Sequence, residues 1–339
     1  MSELVELSSP YLLFLGDARD DLAAKTAAGV HHWRPRQCLG QLRLPGCAAD
    51  LKLTDMTPAE AARQGARTML IGTANSGGVI ADNWLPGIVE ALEAGLDVAS
   101  GLHERLDQIP TLMAVSARTG RRLIDVRHPK GKLKTGTGRK RSGKRLLTVG
   151  TDCSVGKMYT SLALEAALRE KGCKADFRAT GQTGIMIVGR GISVDAVVAD
   201  FIAGAAEALS PDNDADHWDV VEGQGSLHHP AFAGVSLGLL HGSQPDALVI
   251  CHEPTRRHMR GLSDVPLPSL EATIEANLSA ARLTNPNVRV LGFAVNTSKL
   301  EVAAARSMLD DLEKRFRMPA SDPVRFGVAA LAARLLAEF

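Results

Sequence analysis

The run Gly150-Thr151-Asp152-Cys153-Ser154-Val155-Gly156-Lys157-Met158 has the composition of a phosphate cradle. It follows the apolar stretch Leu146-Leu147-Thr148-Val149 and leads into a segment of helical composition. In that context a glycine-rich loop turns its backbone N–H groups toward an anion. The helix N-terminus adds partial positive charge, and Lys157 adds a full one. The residue after the lysine is Met158, where nucleotide-hydrolysing loops carry a Ser or Thr that holds Mg²⁺. A thioether does not ligate that hard cation, and Thr160 and Ser161 lie further along the helix. The loop is therefore expected to grip a diphosphate without cleaving it, which suits the ADP portion of coenzyme A. A plain strand-to-helix turn with an exposed lysine is the alternative.

Further runs end apolar stretches in reactive groups. Asp219-Val220-Val221-Glu222-Gly223-Gln224-Gly225-Ser226 places Glu222 at a sheet's carboxyl edge near the loop, with His228 and His229 within reach. Glu222 and His228 are the candidate catalytic groups, as bases for a substrate ammonium. In a nucleotidase Glu222 would instead hold a metal or orient water. Adjacent histidines point in different directions, so one of the two is expected to serve. Ala179-Thr180-Gly181-Gln182-Thr183-Gly184 and Gly189-Arg190-Gly191 offer Gln182 and Arg190, and Cys251-His252-Glu253-Pro254-Thr255-Arg256 offers Arg256. An arginine captures a carboxylate bidentately. Gln182, Arg190, Gln224 and Arg256 are thus the substrate-binding candidates, with simple solvent exposure as the alternative for each arginine. Asn296-Thr297-Ser298-Lys299 follows another strand at the place where P-loop proteins often contact a base. Cys153, at a helix N-terminus that favours thiolate, opens a covalent route. Asp212, Asp214, Asp216 and Asp219 lack the glycine turn and terminal glutamate of a calcium loop, and no metal site is expected.

These groups need a scaffold that gathers strand ends. Tyr11–Gly16, Arg67–Gly72, Leu96–Ser100 and Leu123–Val126 read as buried strands, with helices over Asp20–Ala28, closing near Gly29, and over Leu85–Leu92. Beyond Leu146–Val149, strands are expected at Ala175–Ala179, Asp219–Glu222, Ala247–Cys251 and Val288–Val295. Helices are expected at about Lys157–Lys171, Ser193–Leu209, Leu270–Leu283 and Glu301–Arg315. The alternation gives an α/β protein with two mainly parallel sheets: a Rossmann-like N-terminal domain (1–127), a basic linker or loop (128–145) and a P-loop NTPase-like C-terminal domain (146–339). The first strand ends in Gly16-Asp17-Ala18-Arg19-Asp20 rather than GxGxxG, so dinucleotide binding is not expected there.

The totals agree with this division. A chain of 339 residues exceeds one ordinary domain, and 4% aromatics with 45% hydrophobic residues suits helices on parallel sheets. A net charge of +1 provides no global attraction to nucleic acid or membrane. Eight basic residues without an acid lie between Lys130 and Arg145, as a solvated linker or a basic lip beside an anion site. Five cysteines at wide spacing exclude a disulfide framework and a zinc ribbon. With an acidic start and no long apolar span, a cytoplasmic homo-oligomer acting on a small molecule is expected, with no nucleic-acid or membrane partner.

The GTDCSVGK run with the later VVEGQGS resembles the dethiobiotin synthetase branch of P-loop proteins, from whose Thr Met158 departs. A resemblance spanning nearly the whole chain is to the DUF1611 family, associated with DgcN-type D-glutamate N-acetyltransferases. It is carried by GTDCSVGKMYTSLAL, ATGQTGIMIVGRGISVDAVVADFIAGAAE and VVEGQGSLHHPAFAGVSLGLLHGSQPDALVICHEPTR. The resemblance implies transfer of an acetyl group from acetyl-CoA to the amino group of D-glutamate or a related D-amino acid, in D-amino-acid catabolism. Two alternatives stand beside it. One is an ATP-dependent ligase or kinase in which Asp152 and Glu222 hold Mg²⁺; the other is a non-catalytic nucleotide-binding sensor.

Overall fold

The computed structural model describes residues 4–129 and 131–339; Met1–Glu3 and Lys130, the first of the basic run, lie outside the described residues. The chain divides into two compact units. One takes the chain up to Gly131 together with Gly181–Ala196, and the other takes Lys132–Thr180 with Val197–Phe339.

In the first unit the fully buried strand Tyr11–Gly16 lies between Cys38–Arg43 on one side and Thr68–Ile71, Asp97–Ser100 and Leu123–Asp125 on the other, all parallel. Parallel strands covered on both faces read as continuous apolar runs, which is why four of the five stand out in the sequence. Cys38–Arg43 carries only Leu39 and Leu42 as large apolar residues and lies at the sheet edge. The helix expected to close near Gly29 instead spans Lys25–Trp33 and buries Gly29 inside it. A Cβ there would sit at ordinary contact distance, 3.9 Å, from Thr183 and Ile187; the helix runs through this glycine instead of stopping at it. The mouth of the first strand is filled as well: the Trp84 indole lies against Gly16 and donates from Nε1 to Asp17 at 2.7 Å.

The second unit's sheet has the order Ala320–Ser321, Arg289–Val295, Ala247–His252, Lys144–Gly150, Trp218–Val221, Ala175–Arg178, again all parallel. Lys144–Gly150 comes first in the chain and sits in the middle, so the winding direction reverses across it. Ligand crevices of open sheets form at such a reversal, outside the carboxyl ends of the strands. Helix Lys157–Glu170 follows the central strand and packs Leu164 and Leu168 onto Leu146, Val220 and Val249. The helix expected over Ser193–Leu209 is shorter, Ile202–Leu209, preceded by two 3₁₀ turns. The chain passes between units at Ala196–Val197, and one rigid helix would not serve both cores.

Two members of the basic run are buried rather than solvated. Arg145 donates to Ser210 Oγ at 2.9 Å and to the Pro211 carbonyl at 2.9 Å, and Ser210 Oγ in turn donates to Asp219 at 2.5 Å. Arg141 donates to the carbonyls of Glu207, Ser210 and Gly242, and burial pulls its guanidinium down to about 10. These arginines fasten the segment before the central strand onto the helices behind the sheet. Among the described residues no helix is long and apolar enough to cross a membrane.

Candidate active site

The central strand ends at Gly150, where a Cβ would come 2.8 Å from the Cys251 carbonyl and 2.9 Å from Val155, so the loop leaves the sheet through a gap that fits only glycine. Ser154 and Gly156 adopt left-handed backbone, φ +53° and +102°. A non-glycine residue in that region costs of order 1–3 kcal/mol and persists only where its surroundings impose it. The turn delivers the chain into the helix beginning at Lys157, and among the described residues the N–H groups of Gly156, Lys157 and Met158 take no acceptor. They are the unsatisfied donors that every helix start presents. Lys157 is buried, and its Nζ donates to the Asp152 carbonyl at 2.8 Å. Burial pulls its ammonium pKa down, while Cys251, Cys153, Asp152 and Glu222 oppose that pull. Thr160 donates its hydroxyl to the Gly156 carbonyl at 2.9 Å, and the Ser161 hydroxyl lies 3.0 Å from Thr148 Oγ1. Both hydroxyls are occupied by the scaffold, and the side chain after the lysine remains a thioether.

One wall of the loop is the segment following Ala247–His252. Arg256 donates to the Asp152 carboxylate at 2.6 Å and to the Cys153 carbonyl at 2.7 Å, with Ser154 O at 3.3 Å. Asp152 is fully buried and also accepts from the backbone N–H groups of Cys153, 2.6 Å, and Arg260, 2.8 Å. The Arg260 guanidinium reaches Ser154 Oγ. Arg256 thus spends its donors on the loop, a different task from the substrate clamp expected of it. Arg260 escaped the sequence reading although it lies one helical turn's spacing from Arg256. His252 Nδ1 lies 3.0 Å from the Thr151 hydroxyl, and burial pulls its imidazole pKa down, favouring the neutral ring.

The opposite wall is the segment after Trp218–Val221. Glu222 is buried and accepts from the Thr180 N–H at 2.9 Å, while the Thr180 hydroxyl donates to the Glu222 carbonyl at 2.6 Å. A Cβ on Gly223 would lie 1.6 Å from the Thr148 carbonyl and 3.0 Å from the Lys157 stem. Gly223→Ala is therefore expected to lose roughly 1–3 kcal/mol of stability by overpacking, read as a lower urea midpoint with an unchanged denaturant slope. Ser226 Oγ donates to the Thr151 carbonyl at 3.2 Å and accepts from the His228 N–H at 3.3 Å. His228 is half-buried, and among the described residues its buried Nε2 has no hydrogen-bond partner. The neighbouring His229 uses both nitrogens, Nδ1 for the Ala231 N–H and Nε2 toward the Arg260 carbonyl, and lies against Phe232 at 4.5 Å.

The remaining expected residues are placed as follows. Gln224 donates to Thr180 Oγ1 at 3.1 Å, in this same unit. Gln182 and Arg190 belong to the other unit, where Gln182 opens the helix Gln182–Val188 and exposed Arg190 lies 3.5 Å from Glu6. Asp152, Cys153 and His229 bring ligand-type atoms within 4.8 Å of one another. The bonds just described already occupy the aspartate and the imidazole. Burial pushes the Cys153 thiol up, the opposite of the thiolate expected from its place beside a helix start.

The comparisons accord with this architecture. Residues 132–332 match a family described as a domain of unknown function, DUF1611_C P-loop domain, and residues 42–129 match its DUF1611_N Rossmann-like counterpart. A D-glutamate N-acetyltransferase of a Pseudoalteromonas species is 54% identical over 331 residues, covering 98% of this chain and 100% of its own. One of Tritonibacter scottomollicae is 53% identical, covering 98% of this chain and 99% of its own. The crystal structure of a DUF1611 family protein from Anabaena variabilis has a TM-score of 0.82 at 31% identity, with 98% of this chain and 100% of that one covered. With a Rossmann-like unit and a P-loop unit both matched, the chain belongs to the DUF1611 family.

Proposed function

We propose that this chain transfers an acetyl group from acetyl-CoA to the amino group of D-glutamate. The observation that carries this reading is the 54% identity, end to end, to a D-glutamate N-acetyltransferase. The site geometry supports it. The buried lysine and the free N–H groups of Gly156, Lys157 and Met158 suit a diphosphate, which the ADP portion of coenzyme A presents. Met158, and hydroxyls of Thr160 and Ser161 turned into the scaffold, leave the loop without the Mg²⁺ ligand that phosphoryl transfer uses.

In this reading Lys157 neutralises the diphosphate, and the loop and helix donors fix its position. His228 takes the proton from the substrate ammonium, because only the neutral amine attacks the thioester carbonyl. The C–N bond forms as the C–S bond breaks, the nitrogen gives up its second proton to the departing sulfur, and coenzyme A leaves as the free thiol. Exposed Arg257 and Arg260 add cations at the rim for a dicarboxylate. Arg256 holds the loop's shape, and Glu222 steadies the Thr180 turn and balances Lys157.

Incubation with acetyl-CoA and mixed D- and L-amino acids, read by mass spectrometry, is expected to yield acetylated D-glutamate with release of free thiol. ATP hydrolysis with D-glutamate and no need for acetyl-CoA would instead establish the ligase or kinase reading. Lys157→Ala is expected to raise the Kd for coenzyme A by roughly 10- to 150-fold, the worth of a charge-assisted hydrogen bond. Calorimetric titration with coenzyme A checks it, and an unchanged Kd would place the diphosphate elsewhere.

A further inference from the structure

Thr151 and His252 meet where the winding of the second unit's sheet reverses. Thr151 is the first residue beyond the central strand Lys144–Gly150, and His252 ends the neighbouring strand Ala247–His252. Open parallel sheets take their ligands in the crevice outside such strand ends. Both residues are held there by their backbones. The Thr151 N–H donates to the Cys251 carbonyl at 3.1 Å, and the Thr151 carbonyl accepts from Ser226 Oγ at 3.2 Å. The His252 carbonyl accepts from the Asn296 N–H at 2.8 Å.

Which ring nitrogen carries the proton follows from the donors and acceptors present. Thr151 is fully buried, and its hydroxyl lies 3.0 Å from His252 Nδ1. Among the described residues that hydroxyl has no other partner, and a buried hydroxyl proton without an acceptor costs stability. The hydroxyl therefore donates to Nδ1. Burial favours the neutral ring, and a neutral imidazole that accepts at Nδ1 carries its proton on Nε2. His252 is half-buried, and its Nε2 has no partner among the described residues. The ring is thus a preset donor rather than a base. The nearby guanidinium groups are committed elsewhere: Arg256 and Arg260 bond to Asp152, Cys153 and Ser154 of the loop itself. An anion on the loop meets Lys157 and the free N–H groups of the helix start on one side. On the side of the strand ends, His252 offers the matching N–H.

We infer that His252 binds the diphosphate of the acyl donor, donating from Nε2 to a phosphate oxygen, and that Thr151 is the positioning residue that sets this tautomer. The assignment rests on the acetyl-CoA reading for the identity of the ligand, but its test does not need turnover. The full chain is titrated calorimetrically with inorganic pyrophosphate. His252→Ala is expected to raise the Kd by roughly 10- to 100-fold, the worth of one hydrogen bond to a charged group. His252→Gln, whose amide donates from nearly the same place, is expected to stay within about 5-fold of the unsubstituted chain. Thr151→Val keeps the side-chain shape without the hydroxyl. It is expected to raise the Kd by about 3- to 10-fold alone and to add little to His252→Ala, since the two act through one contact. Nitrogen NMR of the labelled histidine rings is expected to show His252 protonated on Nε2, with both tautomers populated in Thr151→Val. A Kd unchanged in His252→Ala, a glutamine variant as weak as the alanine variant, or a ring protonated on Nδ1 overturns the assignment. The spectrum of the unsubstituted chain decides it even if a variant fails to fold. Acetylation of D-glutamate would still stand in each of those outcomes, and its absence alongside His252-dependent pyrophosphate binding would overturn the acetyltransferase reading alone.

Discussion

Replacing His228 with alanine lowers kcat for acetyl transfer to D-glutamate by about 100- to 10,000-fold, the usual contribution of one general base, while the KM for acetyl-CoA changes little. The expectation comes from the hydrogen-bond inventory of the wall beside the loop. His229 has both ring nitrogens engaged, and Glu222 accepts the Thr180 N–H in a buried setting beside Lys157. His228 has a buried Nε2 with no partner among the described residues, on a backbone tied through Ser226 to the loop at Thr151. A buried imidazole nitrogen left without a partner costs stability, and such exceptions call for an explanation; proton transfer supplies one. Added imidazole should restore part of the lost rate in His228→Ala, a response that a merely structural histidine would not show. If His228→Ala keeps full activity and Glu222→Gln loses it, the base is Glu222 instead.

The division between what the sequence displays and what it hides follows the range of the interactions. The loop was legible because its signal is local: apolar strand, glycine, lysine and helix lie within twenty residues. The strands of both sheets other than the edge strands Cys38–Arg43 and Ala320–Ser321 were legible because burial on both faces demands unbroken apolar runs. Gln182–Val188 was not, since glycines at 181, 184 and 189 read as a loop, whereas Gly181 and Gly189 cap a helix that contains Gly184, packs against Lys25–Trp33 and belongs to the first unit. Arg141 and Arg145 looked like solvated charge because the groups that bury them include acceptors some 65 to 100 residues onward, which nothing nearby in sequence marks. Gly29 had the look of a helix stop, yet the helix continues through it to Trp33, because one glycine inside a helix lowers its propensity without ending it. Asp152 and Arg256 were both visible as charges beside the site. Their pairing was not, because three strands of the same sheet and more than one hundred residues separate them.

That pairing carries the second large effect. Arg256→Ala leaves the fully buried Asp152 carboxylate without its cation, and breaking a buried ion pair from one side typically costs 3–5 kcal/mol. The N–H groups of Cys153 and Arg260 still donate to that carboxylate, so a loss of about 3 kcal/mol is expected, measured by urea unfolding of the full chain. Asp152→Asn in the Arg256→Ala background removes the stranded charge while keeping a carbonyl for those two N–H groups. The double variant should therefore be more stable than Arg256→Ala alone, and the cycle of four proteins isolates the pair from the packing lost with the arginine stem. The same substitution should weaken coenzyme A binding, since the Cys153 and Ser154 carbonyls that Arg256 holds are what keep the turn open ahead of Lys157. A stability loss below about 1 kcal/mol, with coenzyme A binding unchanged, would mean that the loop holds its shape through Gly150 and Gly156 alone. Arg256 would then be free for the substrate carboxylate that its charge first suggested.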